Sequence, residues 1–263
     1  NKNNYAVAGL VVLGWDDALA FTQAADETGI PIILQAGPSC RAHTPIPILG
    51  KMFRYLASQT KTNICCHVDH GYTLDECYEG IDSGFTSVMF DGSKLTLKEN
   101  IKISKKIASR AHKYNISIEG EIGFVGYDNG KISEGTNIED AVTFANKSNI
   151  DAMAISVGNT HLQTSKKASI DFNKINLIEA KTKIPLVLHG SSGIPVEQRK
   201  KLARKTKVAK LNIGTEIRMT FGEALRKNLK NNPKTYDRLQ LLKPTIKDLT
   251  KVTKKIIKQI GPN

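Results

Sequence analysis

The sequence predicts an α/β protein whose strands close into a (β/α)8 TIM barrel. Three observations carry that expectation. Eight short apolar runs alternate with longer stretches of helical spacing. The runs are almost continuously apolar, as strands covered on both faces of a parallel sheet must be. No Gly/Pro/Ser-rich linker divides the 263 residues, so one domain is expected, with the barrel over about 5–230 and a C-terminal helical extension over about 231–263.

The first strand is expected over Ala6–Leu13. Its helix, Asp17–Thr28, ends at Gly29, a residue that tolerates the left-handed conformation of a C-terminal cap. Pro31 opens the second strand, Pro31–Gln35, where a missing N–H is tolerated, and Ile48–Ser58 is the helix after it. Asn63–Val68 is the third strand; Thr73 and Glu76 form a capping box for the helix Leu74–Ser83, which Gly84 follows. Ser87–Phe90 and Leu97–Tyr114 make the fourth unit. Ile116–Glu119 and Ile138–Lys147 make the fifth, separated by a long loop through Gly123, Gly126, Gly130 and Gly135. A loop of that length suits a lid over an active site. Ala152–Val157 with Lys174–Lys183, Pro185–His189 with Val196–Lys205, and Val208–Ile213 with Thr215–Lys230 complete the eight units, and a basic amphipathic stretch follows over Pro244–Ile260.

The net charge is +13, and it is unevenly placed. Residues 198–263 hold 19 Lys+Arg against 4 Asp+Glu, while residues 1–197 are nearly neutral. Such a balance first points to nucleic acid, but the basic region lacks interleaved aromatics, with Phe221 and Tyr236 isolated. It reads as solvated, Lys-rich helix faces with a mild attraction for phosphorylated small molecules, and no nucleic-acid partner is expected. No apolar run reaches eighteen residues, so no membrane partner is expected. Cys40, Cys65, Cys66 and Cys77 form no C-x-x-C pair and read as free thiols. With no charged-then-apolar leader visible, a cytoplasmic location is expected.

Six histidines are present. His67, His70, His161 and His189 fall at or just beyond the C-terminal ends of strands three, six and seven; His43 lies in a loop and His112 on a helix. A barrel gathers its C-terminal strand ends on one face, where three imidazoles and an open position would suit a catalytic zinc. A lone strand-end histidine is more often structural; three at equivalent ends favour a metal site. In His67-Val68-Asp69-His70, Asp69 beside a metal suits an acid/base, or else a partner that orients a histidine. His189-Gly190-Ser191-Ser192-Gly193 and Asn212-Ile213-Gly214-Thr215 follow strands seven and eight, where backbone N–H groups and a helix N-terminus suit a phosphate. Asp91, in Phe90-Asp91-Gly92-Ser93, adds a carboxylate on the same face.

These motifs, together with Glu119-Gly120-Glu121-Ile122-Gly123 and Val187-Leu188-His189-Gly190, resemble the zinc-dependent class II aldolases, the fructose-bisphosphate and tagatose-bisphosphate aldolase family. The resemblance runs from about Tyr5 to Thr220. It implies a lyase of carbohydrate metabolism, of the kind used in glycolysis, that reversibly cleaves a ketose phosphate or bisphosphate to dihydroxyacetone phosphate and an aldehyde. By the same resemblance His70, His161 and His189 hold one catalytic Zn²⁺, Asp91 and Glu121 are secondary or alternative ligands, and Asp69 is the acid/base at the substrate hydroxyl. Gly190, Ser192, Asn212 and Thr215 bind the phosphate and hydroxyls. The resemblance also implies a homo-oligomer, dimer or tetramer, and admits a monovalent cation.

The chain departs from the family pattern at substrate-facing places. The first strand has Gly9-Leu10-Val11-Val12-Leu13 where Ala-Phe-Asn is usual, and Leu162 stands where a glycine approaches the phosphate. In the lid, Tyr127 replaces a small residue and Asn129 a glutamate that shuttles a proton; Asp128 and Glu134 are the nearby acids. Retained metal chemistry on a non-standard phosphorylated ketose is therefore one reading. A degenerate member with a binding role, and a metal enzyme of another reaction class, are the others.

Overall fold

The computed structural model describes residues 4–127 and 133–262. Eight strands pair in parallel and in sequence order: β1 (Val7–Val11), β2 (Ile32–Ala36), β3 (Ile64–Gly71), β4 (Ser87–Phe90), β5 (Ser117–Ile122), β6 (Ala152–Ile155), β7 (Leu186–Leu188) and β8 (Val208–Ile213). Leu211 and Asn212 of β8 lie beside Ala8 and Gly9 of β1, which closes the (β/α)8 barrel. The strands are buried nearly end to end, as their continuous apolar composition requires.

The helices are α1 (Trp15–Thr28), α2 (Pro38–His43), α3 (Ile46–Ser58), α4 (Leu74–Asp82), α5 (Leu97–Lys113), α6 (Ile138–Lys147), α7 (Phe172–Lys181), α8 (Val196–Lys205), α9 (Thr215–Asn231), α10 (Arg238–Leu242) and α11 (Thr245–Ile260). Gly29 takes the left-handed conformation, with φ 67°, and the Thr73/Glu76 capping box forms. Three differences from the sequence expectation stand out. The α2 turn, opened by a proline in its first turn, is too short to show periodicity. β5 runs on to Ile122, so Glu119 and Glu121 lie two residues apart on one face. The final helix is not peripheral: α11 packs on α1, α8, α9 and β1, and the Ala6 N–H donates to the Ile260 carbonyl at 2.8 Å. α11 buries Leu249, Ile256, Ile257 and Ile260, each contributing about 1.5–3 kcal/mol, while its lysines stay on the solvent side.

Candidate active site

A cavity of about 390 Å³ opens at the C-terminal ends of the strands, lined by Asp69, His70, His161, His189, Gly190, Ser192, Asn212 and Thr215 among others. Asp91, Glu119 and Glu121 do not line it but stand within 2.8–3.6 Å of ring nitrogens of His70 and His189.

His70 has a positive φ of 51°, and the β3–β4 register shifts between Val68 and Gly71. This turn breaks the strand alternation, so adjacent Asp69 and His70 both face the cavity. Arg41 of α2 holds the turn: its guanidinium donates to the carbonyls of Asp69 at 2.5 Å, His70 at 2.9 Å and Ala36 at 2.7 Å. His189 directly follows β7. His161 lies in the loop after β6, where its N–H donates to the Gly126 carbonyl at 2.8 Å.

The candidate ligand atoms of His70, His161 and His189 lie within 4.8 Å of one another. His70 Nε2 and His189 Nδ1 approach to 2.8 Å. The remaining nitrogen of each ring meets a carboxylate: His70 Nδ1 stands 2.8 Å from Asp91 Oδ2, and His189 Nε2 stands 2.9 Å from Glu119 Oε1. Carboxylates that accept from the outer nitrogens fix the tautomers and turn the inner nitrogens towards one point. Asp91 is itself held by the Ser93 N–H at 3.1 Å and hydroxyl at 2.6 Å.

Behind Glu119 runs a buried polar chain. Lys210 Nζ donates to Glu119 Oε2 at 2.6 Å and to His67 Nε2 at 3.1 Å, and His67 Nδ1 meets Ser87 Oγ at 2.8 Å. Burial, then the Lys210 charge, keep His67 far below the usual imidazole range, so it is neutral and accepts from the ammonium.

Burial and the neighbouring His70 push His161 and His189 well below the ordinary value, leaving neutral rings suited to a metal. Burial also opposes charge on His70, but Asp69, Asp91 and Glu121 outweigh it and raise its pKa to about 10. Glu121 is pushed well above the carboxylate range, first by burial and then by Asp91. Its Oε2 is buried without a hydrogen-bond partner, 3.6 Å from His70 Nδ1. His70, Asp91 and Glu121 make a second convergent group, which would use the opposite nitrogen of His70.

Asp69 Oδ1 accepts from Gln35 Nε2 at 2.9 Å and Asn212 Nδ2 at 3.2 Å. A Cβ at Gly9 would run into the Gln35 and Asn212 amides, so a side chain there would displace the groups that hold Asp69. Ser192 Oγ accepts from the N–H groups of Gly214 and Glu216, both at 3.2 Å, and so covers the start of α9. Arg199, fully buried, holds this corner through the Ser192 and Ile194 carbonyls at 3.0 Å and Glu216 at 2.6 Å. Leu162 has φ 59° and a side chain 49% exposed at the cavity rim, so a leucine occupies backbone space that favours glycine. Tyr127 stacks on His161 with ring centroids 5.2 Å apart. Glu134 is exposed and does not line the cavity, while Asp128 and Asn129 lie outside the described residues.

The site residues expected from sequence thus line one cavity or stand against the histidines that do. His43 and His112 do not join them; His112 Nε2 meets Asp151 at 3.0 Å instead. Sequence reading missed parts for Gln35, Arg41, Arg199 and Lys210, and left Glu119 without one. The available signal was a polar residue inside an apolar strand, as in Ile32-Ile33-Leu34-Gln35 and Val208-Ala209-Lys210-Leu211.

A family model described as fructose-bisphosphate aldolase class-II matches residues 1–263. The chain belongs to the class II fructose-bisphosphate aldolase family. Among the relatives of this chain, a 6-phospho-5-dehydro-2-deoxy-D-gluconate aldolase of Shouchella clausii is 32% identical over 268 residues, covering 99% of this chain and 90% of the relative. A fructose-bisphosphate aldolase of Staphylococcus aureus is 31% identical over 267 residues, covering 99% and 93%. The crystal structure of the YdjI aldolase from Escherichia coli K12 superimposes with a TM-score of 0.86 at 25% identity, covering 98% of this chain and 92% of that one. Family and relatives support aldol cleavage by a lyase. No helix among the described residues is long and apolar enough to cross a membrane.

Proposed function

We propose that this aldolase reversibly cleaves a phosphorylated ketose to dihydroxyacetone phosphate and an aldehyde, with His70, His161 and His189 holding a catalytic Zn²⁺ and Asp69 as acid/base. One observation carries the reading. Three imidazoles converge beside Asp69 in one cavity, and two of them have their outer nitrogens tied to carboxylates. That donor set fits zinc. The bound cation would supply Lewis-acid polarisation of the ketone oxygen.

The chain's own groups do the rest. Gln35 and Asn212 both donate to Asp69 Oδ1, which leaves Oδ2 to take the proton of the hydroxyl on the carbon that becomes the aldehyde. Asn212 is thereby tied to Asp69 as well as facing the substrate. A change of the Ser192 side-chain rotamer, which moves Oγ, would release the Gly214 and Glu216 N–H groups, so that Gly190, Ser192 and Thr215 surround a phosphate at the α9 N-terminus. Asp91 and Glu121 offer a secondary metal position through His70. A homo-oligomer in the cytoplasm, with no nucleic-acid partner, belongs to the same proposal, as does the single-domain organisation.

Relatives named for two different substrates, together with Val11 and Leu162 at the cavity wall, favour a substrate other than the standard ketose bisphosphates. The test is a panel of ketose mono- and bisphosphates and phosphorylated keto-sugar acids, assayed for release of triose phosphate with and without chelator. Chelator-sensitive release from one class is expected. Release that survives full removal of metal would refute the zinc reading, and no release from any of them would refute the aldol reading.

A further inference from the structure

His161 differs from the other two convergent histidines. His70 and His189 each have one ring nitrogen tied to a carboxylate, whereas the His161 ring makes no hydrogen bond to any described residue. An imidazole without such a tie can turn about its side-chain bonds, and outer-shell partners are what normally prevent this. What lies against His161 is aromatic. Tyr127 stacks on it, with ring centroids 5.2 Å apart and planes 30° from parallel. The rings of His70 and His189 meet it edge to face, at 5.3 and 5.8 Å.

The stack is built from the backbone upward. Tyr127 and His161 pair across a parallel bridge, so their side chains leave on the same side. The bridge is closed by the His161 N–H on the Gly126 carbonyl at 2.8 Å. The Gly126 N–H donates to Ser133 Oγ at 2.9 Å, and that hydroxyl donates to the Asn159 carbonyl at 3.1 Å. Phe124 and Glu134 exchange backbone hydrogen bonds at 3.0 and 2.9 Å. The described flanks of this loop thus keep Tyr127 in register with His161. The far end of the phenol is held too, because the Tyr127 and Tyr72 hydroxyls are hydrogen-bonded. Tyr72 belongs to the capped start of α4, where its N–H donates to Glu76 Oε2 at 2.7 Å. Lys94 Nζ lies 5.8 Å from the Tyr72 ring centroid and 5.9 Å from that of Phe124, which joins the same two segments.

Resting on the zinc reading above, we infer that Tyr127 is the positioning residue for His161. Its ring face does for that histidine what Asp91 and Glu119 do for the other two, and the Tyr72 hydroxyl steadies it. The device works by packing. Turning the imidazole out of the stack forfeits its contacts with the phenol face, so the ring stays in the orientation that points it at the other two histidines. Tyr127 is also a position at which this chain departs from the family pattern, so the brace is a property of this sequence.

Two measurements test this without turnover: zinc affinity by competition with a chromophoric chelator, and the histidine ring resonances of the metal-free protein by NMR. His161→Ala identifies the His161 signals and sets the loss expected when that ligand is removed. Tyr127→Ala should weaken zinc binding by roughly threefold to tenfold, the worth of one aromatic pair. Its metal-free urea midpoint should stay near wild type, and its His161 ring protons, shielded by the stacked phenol in the wild type, should move downfield. Tyr127→Leu keeps bulk at the site and should behave like Tyr127→Ala. Tyr127→Phe, which keeps the ring and loses the hydroxyl, should bind zinc within twofold of wild type. Zinc affinity within twofold of wild type in Tyr127→Ala would overturn the inference, as would His161 resonances that do not move. So would an equal loss in Tyr127→Phe, which would assign the effect to the hydroxyl instead of the stack. If His161→Ala itself left zinc affinity unchanged, the zinc reading would fail, and the metal-free resonances would still decide whether Tyr127 orients the ring.

Discussion

Replacing Lys210 with methionine tests whether the metal site depends on the polar chain behind it. Lys210 Nζ and Glu119 Oε2 are 2.6 Å apart, with side chains only 7% and 4% exposed. Methionine fills similar volume but leaves the Glu119 charge in the barrel interior. Breaking a buried pair in this way costs about 3–5 kcal/mol if the charge stays. Glu119 escapes that cost by taking a proton. A protonated Glu119 then donates to His189 Nε2, and the ring proton moves to Nδ1, the nitrogen that faces His70. A zinc ion held there would face an N–H instead of a lone pair. Loss of such an outer partner weakens metal binding by about 10–100-fold, or roughly 1.4–2.7 kcal/mol. The assay is zinc affinity by competition with a chromophoric chelator, with urea unfolding of the metal-free protein alongside. Lys210→Met should lose affinity by at least tenfold and unfold at lower urea. Zinc affinity within threefold of wild type, with an unchanged urea midpoint, would refute the coupling.

Asp69→Ala should retain zinc and lower kcat by about 10²–10⁴, read by triose phosphate release. Zinc at 100 times its Kd should stabilise the folded chain by about 2.7 kcal/mol, seen as a higher melting temperature that chelator reverses. Burial raises the Glu216 pKa, but Arg199 and Lys166 outweigh it and hold the carboxyl below its ordinary value of 4.5. A depressed folded pKa means that its contribution is present above the unfolded value and lost as pH falls through the folded one. Glu216→Gln should therefore cost about 1.5–3 kcal/mol at pH 7, and the gap to wild type should narrow below about pH 4.5 in urea melts. Leu162→Gly should relieve the positive φ, and its KM for the phosphorylated substrate should fall if Leu162 holds the phosphate off; an unchanged KM would remove Leu162 from the phosphate contact.

Much of the barrel was legible because its signals are local. Continuous apolar runs specify strands covered on both faces, and Thr73, Glu76 and Gly29 act on their own neighbours. The place of α11 was not legible. Its basic, amphipathic residues give a helix, but what covers the apolar stripe is decided by α1 and α8, far off in the chain. The candidate ligands stood out because histidines are few and fall at strand ends.

By itself the sequence determined the eight-unit barrel, the histidines and Asp69 on one end of it, and the excess charge near the C-terminus. The tertiary structure decided which nitrogen His70 and His189 turn inward, because the deciding carboxylates, Asp91 just after β4 and Glu119 in β5, come from other units of the barrel. It also decided that Gln35 and Asn212 meet on one oxygen of Asp69, and that Lys210 is sealed beneath the site rather than added to the basic surface. The physical reason is one of range. Propensity and capping act within a few residues, whereas desolvation, tautomer choice and charge pairing depend on neighbours that only barrel closure brings together.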